Sequence, residues 1–209
     1  HGTSKYSLSY QIMKHQIKTG QVGGTILFAN NIKNPQQLKE LTDDLNNINT
    51  QYKPFISIDQ EGGQVARMSE ENGFKNHLTA YQVAKTKTEK QAYDMYFDLA
   101  QMCNQSGINL NFVPDVDLLL NKNSIIAKKE RSFSDDEKVV TKYAKECLKA
   151  HYNSNVITSL KHFPGHGSPT GDTHLGFVDA SNTWQEKELY PKITLRFSES
   201  AGDEGTILE

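Results

Sequence analysis

The sequence predicts an α/β protein organised around a parallel β-sheet. Short apolar runs begin near residues 22, 55, 108 and 156, and a helical pattern lies between each pair of runs. This alternation is typical of βαβ units, in which each helix returns the chain to the same edge of the sheet. Dense polar clusters follow the ends of these runs, where parallel α/β sheets commonly bind ligands.

The N-terminal half is predicted to form a helix, a strand and a second helix. The first helical face ends near Gly20, and the run 22–28 forms the first strand. Asn34 can cap the next helix, with Pro35 in its first turn and Gln37 completing a capping box. The two inward faces are expected to hold Tyr6, Tyr10, Met13 and Ile17, and then Leu38, Leu41, Leu45 and Ile48.

The C-terminal half repeats the pattern. Pro54 introduces the strand 55–58, a third begins at Ile108, and a fourth spans 156–160. Ser134-Asp135-Asp136-Glu137 is predicted to form a capping box at the start of the last helix. The two inward helical faces hold Ala92, Met95, Tyr96, Leu99, Ala100 and Cys103, and then Val140, Tyr143, Ala144, Cys147 and Leu148.

Composition excludes several classes of function. Lys and Arg number 23 against 25 Asp and Glu, so the chain lacks the cationic surface that nucleic acids or anionic lipids require. The longest apolar run, 22–29, is far shorter than the roughly 20 residues of a membrane helix. Cys103 and Cys147 are too far apart for a metal motif, and we expect buried thiols there. We therefore expect no nucleic-acid partner, no membrane association, no metal and no cofactor.

Four polar clusters are expected to converge at the carboxyl ends of the strands. Each also has a structural explanation: Asp59 could cap a helix, the glycine pair 62–63 could be only a turn, and Asp115 and Asp117 could hold a loop through backbone bonds. Their shared position favours a binding site. The clusters are Asn30-Asn31, Asp59-Gln60-Glu61-Gly62-Gly63, Asp115-Val116-Asp117 and the segment 161–167.

Lys161 and His162 give the strongest indication of a site. They end an apolar strand, and a buried Lys or His must find partners or lose its charge. In the glycine-rich loop that follows, Asp172 and His174 are two residues apart. An Asp that hydrogen bonds to an imidazole fixes its tautomer and raises its basicity, as general acid/base catalysis requires. We expect this loop, from Gly165 to Leu175, to be mobile.

Two long motifs, 58–67 and 161–167 followed by Asp172-Thr173-His174, resemble one known family. They are similar to the bacterial β-N-acetylglucosaminidases of glycoside hydrolase family 3, the NagZ-like enzymes of peptidoglycan turnover. The segments 22–28 and 108–114 also match strands of that family, and the resemblance runs from about residue 2 to about residue 191. It implies a TIM-type (β/α)8 barrel, of which about four strands, the second to the fifth, are present. We assign 1–191 to this partial barrel domain and leave 192–209 as an unassigned tail.

The resemblance also implies roles for individual residues. Asp172 and His174 match the family's acid/base dyad, in which the His protonates the leaving glycosidic oxygen and then deprotonates water. Either water or phosphate remains open as the acceptor. The residues that match the family's binding site for terminal N-acetylglucosamine are Asp59, Arg67, Arg131, Lys161 and His162.

The chain departs from the family pattern at its ends. The family's Asp nucleophile lies in a later segment that these residues lack, and the strand expected before His1 is absent. The expected function is retaining removal of terminal N-acetyl-β-D-glucosamine from muropeptides. The alternative is a catalytically inactive remnant that binds sugar or associates with itself through open sheet edges. The resemblance implies either the cytoplasm, as in Gram-negative cells, or the outside of the cell, as in Gram-positive ones, and we expect a cytoplasmic location with secretion as the other option.

Overall fold

The computed structural model describes residues 2, 4–171, 176, 178–196 and 206–208, which contain a parallel sheet of five strands. The four predicted strands pair in parallel, in chain order. A fifth strand from the C-terminal segment extends the sheet beyond the four expected. In sheet order the strands are β1 Gly24–Leu27, β2 Phe55–Ile58, β5 Leu110–Asn111, β6 Ile157–Leu160 and β7 Thr206–Leu208.

A small antiparallel hairpin that the sequence analysis did not predict follows β2. It consists of β3 Gln60–Gly62 and β4 Val65–Ala66. Gly62 has a φ of +106°, and a Cβ on it would lie 2.4 Å from the carbonyl oxygen of Leu78. The glycine pair therefore forms a turn, and Asp59 precedes a hairpin rather than capping a helix.

The predicted helices are present, with two corrections at their starts. The first helix begins at Leu8 with Ser7 as its cap, so Tyr6, which was expected on the inward face, precedes the helix and is exposed. The last long helix begins at Glu137 with Asp136 as its cap, while Ser134 Oγ accepts a hydrogen bond from Asp136 N. The helices are α1 Leu8–Lys18, α2 Pro35–Asn46, α3 Ala80–Thr86, α4 Glu89–Gln105, α5 Ile125–Lys128, α6 Glu137–Tyr152 and α7 Tyr190–Arg196.

The core consists of two apolar clusters that meet at helix α4. One packs α1, α2 and α4 against β1 and β2, and the other packs α4 against α6 beside β6. Cys103 and Cys147 are buried free thiols, as predicted. Within the described ranges, no helix has both the length and the apolar composition needed to cross a bilayer.

Two asparagines, of which Asn111 is buried and Asn109 partly exposed, bridge strands that are too short to form long ladders. Asn109 accepts a hydrogen bond from Ile56 N and donates to the carbonyl oxygen of Pro54. Asn111 accepts a hydrogen bond from Gln60 N and donates one to the carbonyl oxygen of Gln60, both at 2.9 Å. Side-chain amides thus supply the bonds that fix β5 beside β2.

One of the two edges of the sheet differs from the prediction. The strand that begins at 156 is not an edge, because Thr158, Ser159 and Leu160 pair with the three residues of β7. The other edge is β1, as expected.

Helix α7 crosses residue 191, where we expected the domain to end. The division of the chain at that residue stays a prediction.

Candidate active site

A polar pocket of about 310 Å³ lies at the carboxyl ends of the strands, next to the hairpin. Its walls come from the segment after β2, from the region after α5 and from the end of β6. The cavity is large enough for one sugar residue but not for an extended chain. The residues that line it are Asp59, Gln64, Val65, Arg67, Ile125, Lys129, Arg131, Lys161, His162 and His166.

Asp59 links two cations that come from distant parts of the chain. Its Oδ1 accepts from Lys161 Nζ at 2.7 Å, and its Oδ2 accepts from Arg67 at 3.1 Å. Burial opposes ionisation of Asp59, but the charges of Lys161 and Arg67 outweigh it and lower the pKa. A carboxylate held in this way stays ionised and keeps lone pairs for a ligand.

Glu61 extends this ion-pair network beneath the pocket. Arg131 donates to both of its oxygens, at 2.9 and 2.7 Å, and Lys161 Nζ lies 2.8 Å from Oε1. Although Glu61 is buried, the charges of Lys161 and Arg131 lower its pKa. In return, Glu61 and Asp59 overcome the burial of Lys161 and raise its pKa. The cations that line the pocket are therefore held in place by carboxylates behind them.

Asp115, Asp117 and His162 form the second half of the network. His162 Nδ1 donates to Asp117 Oδ2 at 2.6 Å, and Arg131 Nε lies 3.2 Å from Asp115 Oδ2. Asp115 Oδ1 also accepts from Asp117 N, so the expected loop bond is present beside the ion pairs. The two carboxylates thus have both a structural and an electrostatic role.

These two carboxylates have opposite pKa shifts. Burial and the charge of Asp117 raise the pKa of Asp115 to about 7. Burial also disfavours ionised Asp117, but the hydrogen bond from His162 and the charge of Lys192 hold its pKa well below the usual range. The bond to Asp117 likewise overcomes the burial of His162 and raises its pKa.

Lys192 contributes to the site from beyond the predicted domain end. Its side chain is buried, and Nζ donates to Asp117 Oδ1 at 3.3 Å and to the Glu188 carbonyl at 3.0 Å. Lys192 was not predicted, because it lies in the tail after residue 191, to which no role was assigned. Its one local signal is the spacing of four from Glu188, which places both residues on one helical face.

Gln60 holds the hairpin that carries Arg67. Its Oε1 accepts from the backbone N–H groups of Arg67 and Met68, and its Nε2 donates to the Met68 carbonyl. The side chain is buried, and its backbone is fixed by Asn111. Gln60 therefore positions the backbone at Arg67 without lining the pocket.

Glu188 clamps the start of the loop that leads to Asp172 and His174. Its Oε2 accepts from Gly167 N at 3.1 Å, and its Oε1 accepts from Ser168 Oγ at 2.7 Å. On the other side of the loop, His166 N donates to Asp117 Oδ1 at 2.9 Å. A Cβ on Gly167 would lie 1.8 Å from the Leu118 carbonyl oxygen, so the loop fits only with glycine there.

The structure brings five of the predicted site residues into one pocket. They are Asp59, Arg67, Arg131, Lys161 and His162. Asp172 and His174, together with much of the loop expected to be mobile, lie outside the described residues. Asn31, from the first polar cluster, does not join the pocket: it accepts a hydrogen bond from Phe28 N and lines a separate apolar cavity beside α1.

Glu61 was predicted only as part of a polar cluster, and Glu188 and Lys129 were not predicted, although all three contribute to the site. Glu61 lies two residues after Asp59 on an extended chain, so both side chains point to the same side. That spacing was the available signal. Glu188 and Lys129 offered none, since their neighbours in space come from other parts of the sequence.

Asp115, Asp117 and His162 also have the atom types of a metal site. Among the described residues, their potential ligand atoms lie within 4.8 Å of one another. However, Arg131 and Lys192 already neutralise the two carboxylates, and the His162 proton occupies the space between Nδ1 and Asp117. A divalent cation would have to displace that proton next to two fixed positive charges. The donor set therefore fits an ion-pair network better than a metal.

Sequence comparison identifies similar proteins. A profile of the glycosyl hydrolase family 3 N terminal domain matches residues 8–201. Beta-hexosaminidase A of Pseudoalteromonas piscicida is 38% identical over 161 residues, which are 74% of this chain and 27% of that protein. The beta-hexosaminidase of Photobacterium profundum is 37% identical over 162 residues, which are 74% of this chain and 45% of that protein.

Solved structures give the same result for the fold. Native NagZ from Neisseria gonorrhoeae matches with a TM-score of 0.80 at 28% identity, over 94% of this chain and 58% of that one. A glycoside hydrolase family 3 beta-N-acetylglucosaminidase from Paenibacillus sp. str. FPU-7 matches with a TM-score of 0.77 at 26% identity, over 93% of this chain and 38% of that one. The chain thus spans 27% to 58% of the length of these four proteins. The predicted fold, part of a (β/α)8 barrel, is confirmed.

The pKa of His162 is expected to fall in Asp117→Asn, because that change removes the carboxylate that favours the charged imidazole. In the unchanged chain the pKa is raised. The stabilisation that the protonated His162 imidazole contributes to the folded state is therefore complete below about pH 6.5, and it is lost as pH rises through the folded-state pKa of His162. NMR titration of the imidazole measures the shift, and Asp135→Asn, at an exposed position, is the matched control. An unchanged His162 pKa in Asp117→Asn would contradict the assignment.

Glu188→Ala is expected to release the start of the loop and to lower the free energy of unfolding by about 1–3 kcal/mol, because buried donors lose their acceptor. Trp184, the single tryptophan, donates to the carbonyl of Pro164 at 3.4 Å and reports the change as a red-shifted emission. Glu186→Ala, in the same helical turn but exposed, is the control. Equal urea midpoints and emission spectra for the two variants would show that Glu188 does not hold the loop.

Proposed function

This chain belongs to glycosyl hydrolase family 3, and from that premise we propose that its pocket binds terminal N-acetyl-β-D-glucosamine of peptidoglycan fragments for retaining hydrolysis. The family match extends over residues 8–201 and supports a glycoside hydrolase. The relatives that the chain resembles are named beta-hexosaminidases and beta-N-acetylglucosaminidases. The muropeptide substrate and the acid/base dyad are our proposals.

The observation that carries this proposal is the ionised carboxylate of Asp59 between two fixed cations. Such a carboxylate can accept bonds from two vicinal hydroxyls, while Lys161, Arg67 and Arg131 can donate to sugar oxygens and an amide carbonyl. The pocket has room for one sugar, which suits removal of a terminal residue. His162 lies at the same wall, oriented by Asp117.

We assign acid/base chemistry to Asp172 and His174. In this assignment His174 gives a proton to the leaving glycosidic oxygen and later takes one from the incoming water. Asp172 accepts a hydrogen bond from the imidazole and fixes its tautomer. The support is the family match and the clamp at Gly167 and Ser168, which ties the segment before the dyad to the pocket through Glu188. The compartment, expected to be the cytoplasm, stays a prediction.

A second candidate function is sugar binding without turnover. It is favoured by one observation: among the described residues Asp59 is the single carboxylate that lines the pocket, and Lys161 and Arg67 hold it. Retaining hydrolysis needs a second carboxyl group close to the sugar that is free to act as nucleophile. The two candidates share the pocket and differ only in whether a glycosyl-enzyme intermediate forms.

We expect the 209-residue chain to bind N-acetylglucosamine and to hydrolyse an aryl N-acetyl-β-glucosaminide no faster than buffer does. Binding is measured by titration calorimetry, with Asp59→Asn expected to abolish it and Asp135→Asn to leave it unchanged. Glucose should bind more weakly, because it lacks the amide that the cations recognise. Turnover is followed by release of the aryl group.

Two outcomes would contradict this prediction. Measurable turnover by the chain that His174→Ala abolishes would show that a nucleophile is present among these residues. Undiminished N-acetylglucosamine binding in Asp59→Asn would move the sugar to another part of the molecule.

We also propose that the chain associates with itself through strand β1. This strand is an edge of the sheet, and the side chains of Val22, Ile26 and Phe28 on and around it are partly exposed. An apolar cavity of about 430 Å³ opens beside them, between α1 and β1. An unpaired apolar edge favours pairing with a second chain.

Ile26→Lys is expected to shift the chain from dimers or larger species to monomer, because a charge on an edge strand disfavours pairing. Sedimentation velocity at micromolar concentration measures the distribution. Tyr152→Lys, at an exposed apolar position on α6, is the control. A sharp monomer boundary for the unchanged chain would refute the association.

A further inference from the structure

The sugar pocket carries more positive charge than a neutral sugar needs. Four of its lining residues carry permanent positive charges, while Asp59 is its single lining carboxylate within the described part of the chain. The whole chain, in contrast, has a net charge of -2. The positive charge is therefore a local feature of this cavity. The four cations are Arg67, Lys129, Arg131 and Lys161.

Three of these cations already have carboxylate partners. Arg67 pairs with Asp59, and Lys161 pairs with both Asp59 and Glu61. Arg131 pairs with Glu61 and with Asp115, at 2.7 and 3.2 Å. Because the pKa of Asp115 is raised to about 7, that residue compensates only part of a charge at neutral pH. The positive charges of these three side chains are thus compensated by carboxylates within the network.

Among the described residues, Lys129 is the pocket cation without a partner. It follows α5 as its C-terminal cap, it is half-buried, and its side chain makes no ion pair or hydrogen bond within the described residues. The adjacent carboxylate, Glu130, accepts instead from Thr79 Oγ1 at 2.9 Å. The ionisable groups that share the pocket with Lys129 are Asp59, Arg67, Arg131, Lys161, His162 and His166. Asp59, the one carboxylate among them, is held by two other cations.

An unpaired ammonium on the wall of a binding pocket suits a negatively charged ligand group. The hydroxyls and amide of a neutral sugar can be satisfied by Asp59 and the paired cations. An oxyanion next to Lys129 would form a charge-assisted hydrogen bond in a partly dehydrated cavity, where such bonds are strong. We propose that Lys129 selects N-acetylglucosaminides that carry an oxyanion, either on the sugar or on the residue joined to it. This inference rests on the proposed sugar site and specifies its substrate class.

The two sources of the oxyanion are distinguished by three probes. N-acetylglucosamine is the neutral reference, and its 6-phosphate carries the charge on the sugar. The disaccharide N-acetylglucosaminyl-β-1,4-N-acetylmuramic acid carries a carboxylate on the adjoining residue. Titration calorimetry of the 209-residue chain measures each affinity at low and at moderate salt. Inorganic phosphate alone is titrated as a fourth ligand.

We expect at least one charged probe to bind about tenfold more tightly than N-acetylglucosamine, with a preference that decreases as salt increases. Lys129→Met is expected to abolish this preference, measured as the ratio of the charged probe's affinity to the N-acetylglucosamine affinity of the same variant. Lys129→Arg should keep the preference, because it keeps the charge. Lys128→Met, at the exposed preceding position, is the matched control and should behave like the unchanged chain.

Several results would overturn the inference. Lys129→Met could retain the preference, or the unchanged chain could bind the neutral sugar as tightly as both charged probes. Inorganic phosphate could bind as tightly as the sugar phosphate, which would indicate a phosphate site independent of sugar. Absence of N-acetylglucosamine binding in the unchanged chain would remove the proposed sugar pocket, and this inference with it.

Discussion

The ion pair between Lys161 and Asp59 is the contact on which the pocket depends. A buried ammonium is costly unless a carboxylate compensates it, and Lys161 is only 3% exposed. Its 2.7 Å bond to Asp59 joins the ends of β2 and β6, with β5 between them. The parallel order of the strands places both ends at one edge of the sheet, so the fold itself supplies the pairing.

From this pair, charge compensation extends across the site. Lys161 also contacts Glu61, Glu61 binds Arg131, and Arg131 reaches Asp115. Next to Asp115, Asp117 pairs with both His162 and Lys192, and these contacts complete the network. Removing one member would leave a buried charge on its neighbour, which costs more than the lost contact alone. The network therefore fixes the geometry of the side chains that line the pocket.

Local patterns predicted most of the secondary structure and three of the five residues that meet in the pocket, and the family resemblance supplied the other two, Arg67 and Arg131. Asp59, Lys161 and His162 were predictable because they follow strands, and parallel strands end at a common edge. Asp136 replaced Ser134 as a cap because both side chains can accept the same kind of bond, and sequence alone does not rank them. The roles of Glu188 and Lys192 depend on contacts with residues 167, 168 and 117, which their spacing of four along the chain does not indicate.

The distance along the chain between Asp117 and Lys192 has a consequence for how the protein folds. The two residues are 75 positions apart, and Asp59 and Lys161 are 102 apart. Contacts of such long sequence separation are slow to form, because a large loop must close before they contribute any stabilisation. During synthesis, Asp117 has no access to the Lys192 ammonium until the chain beyond residue 192 has emerged. We therefore expect the ion pairs of the pocket to form after the helices and after the pairing of β1 with β2, whose partner residues lie closer together along the chain.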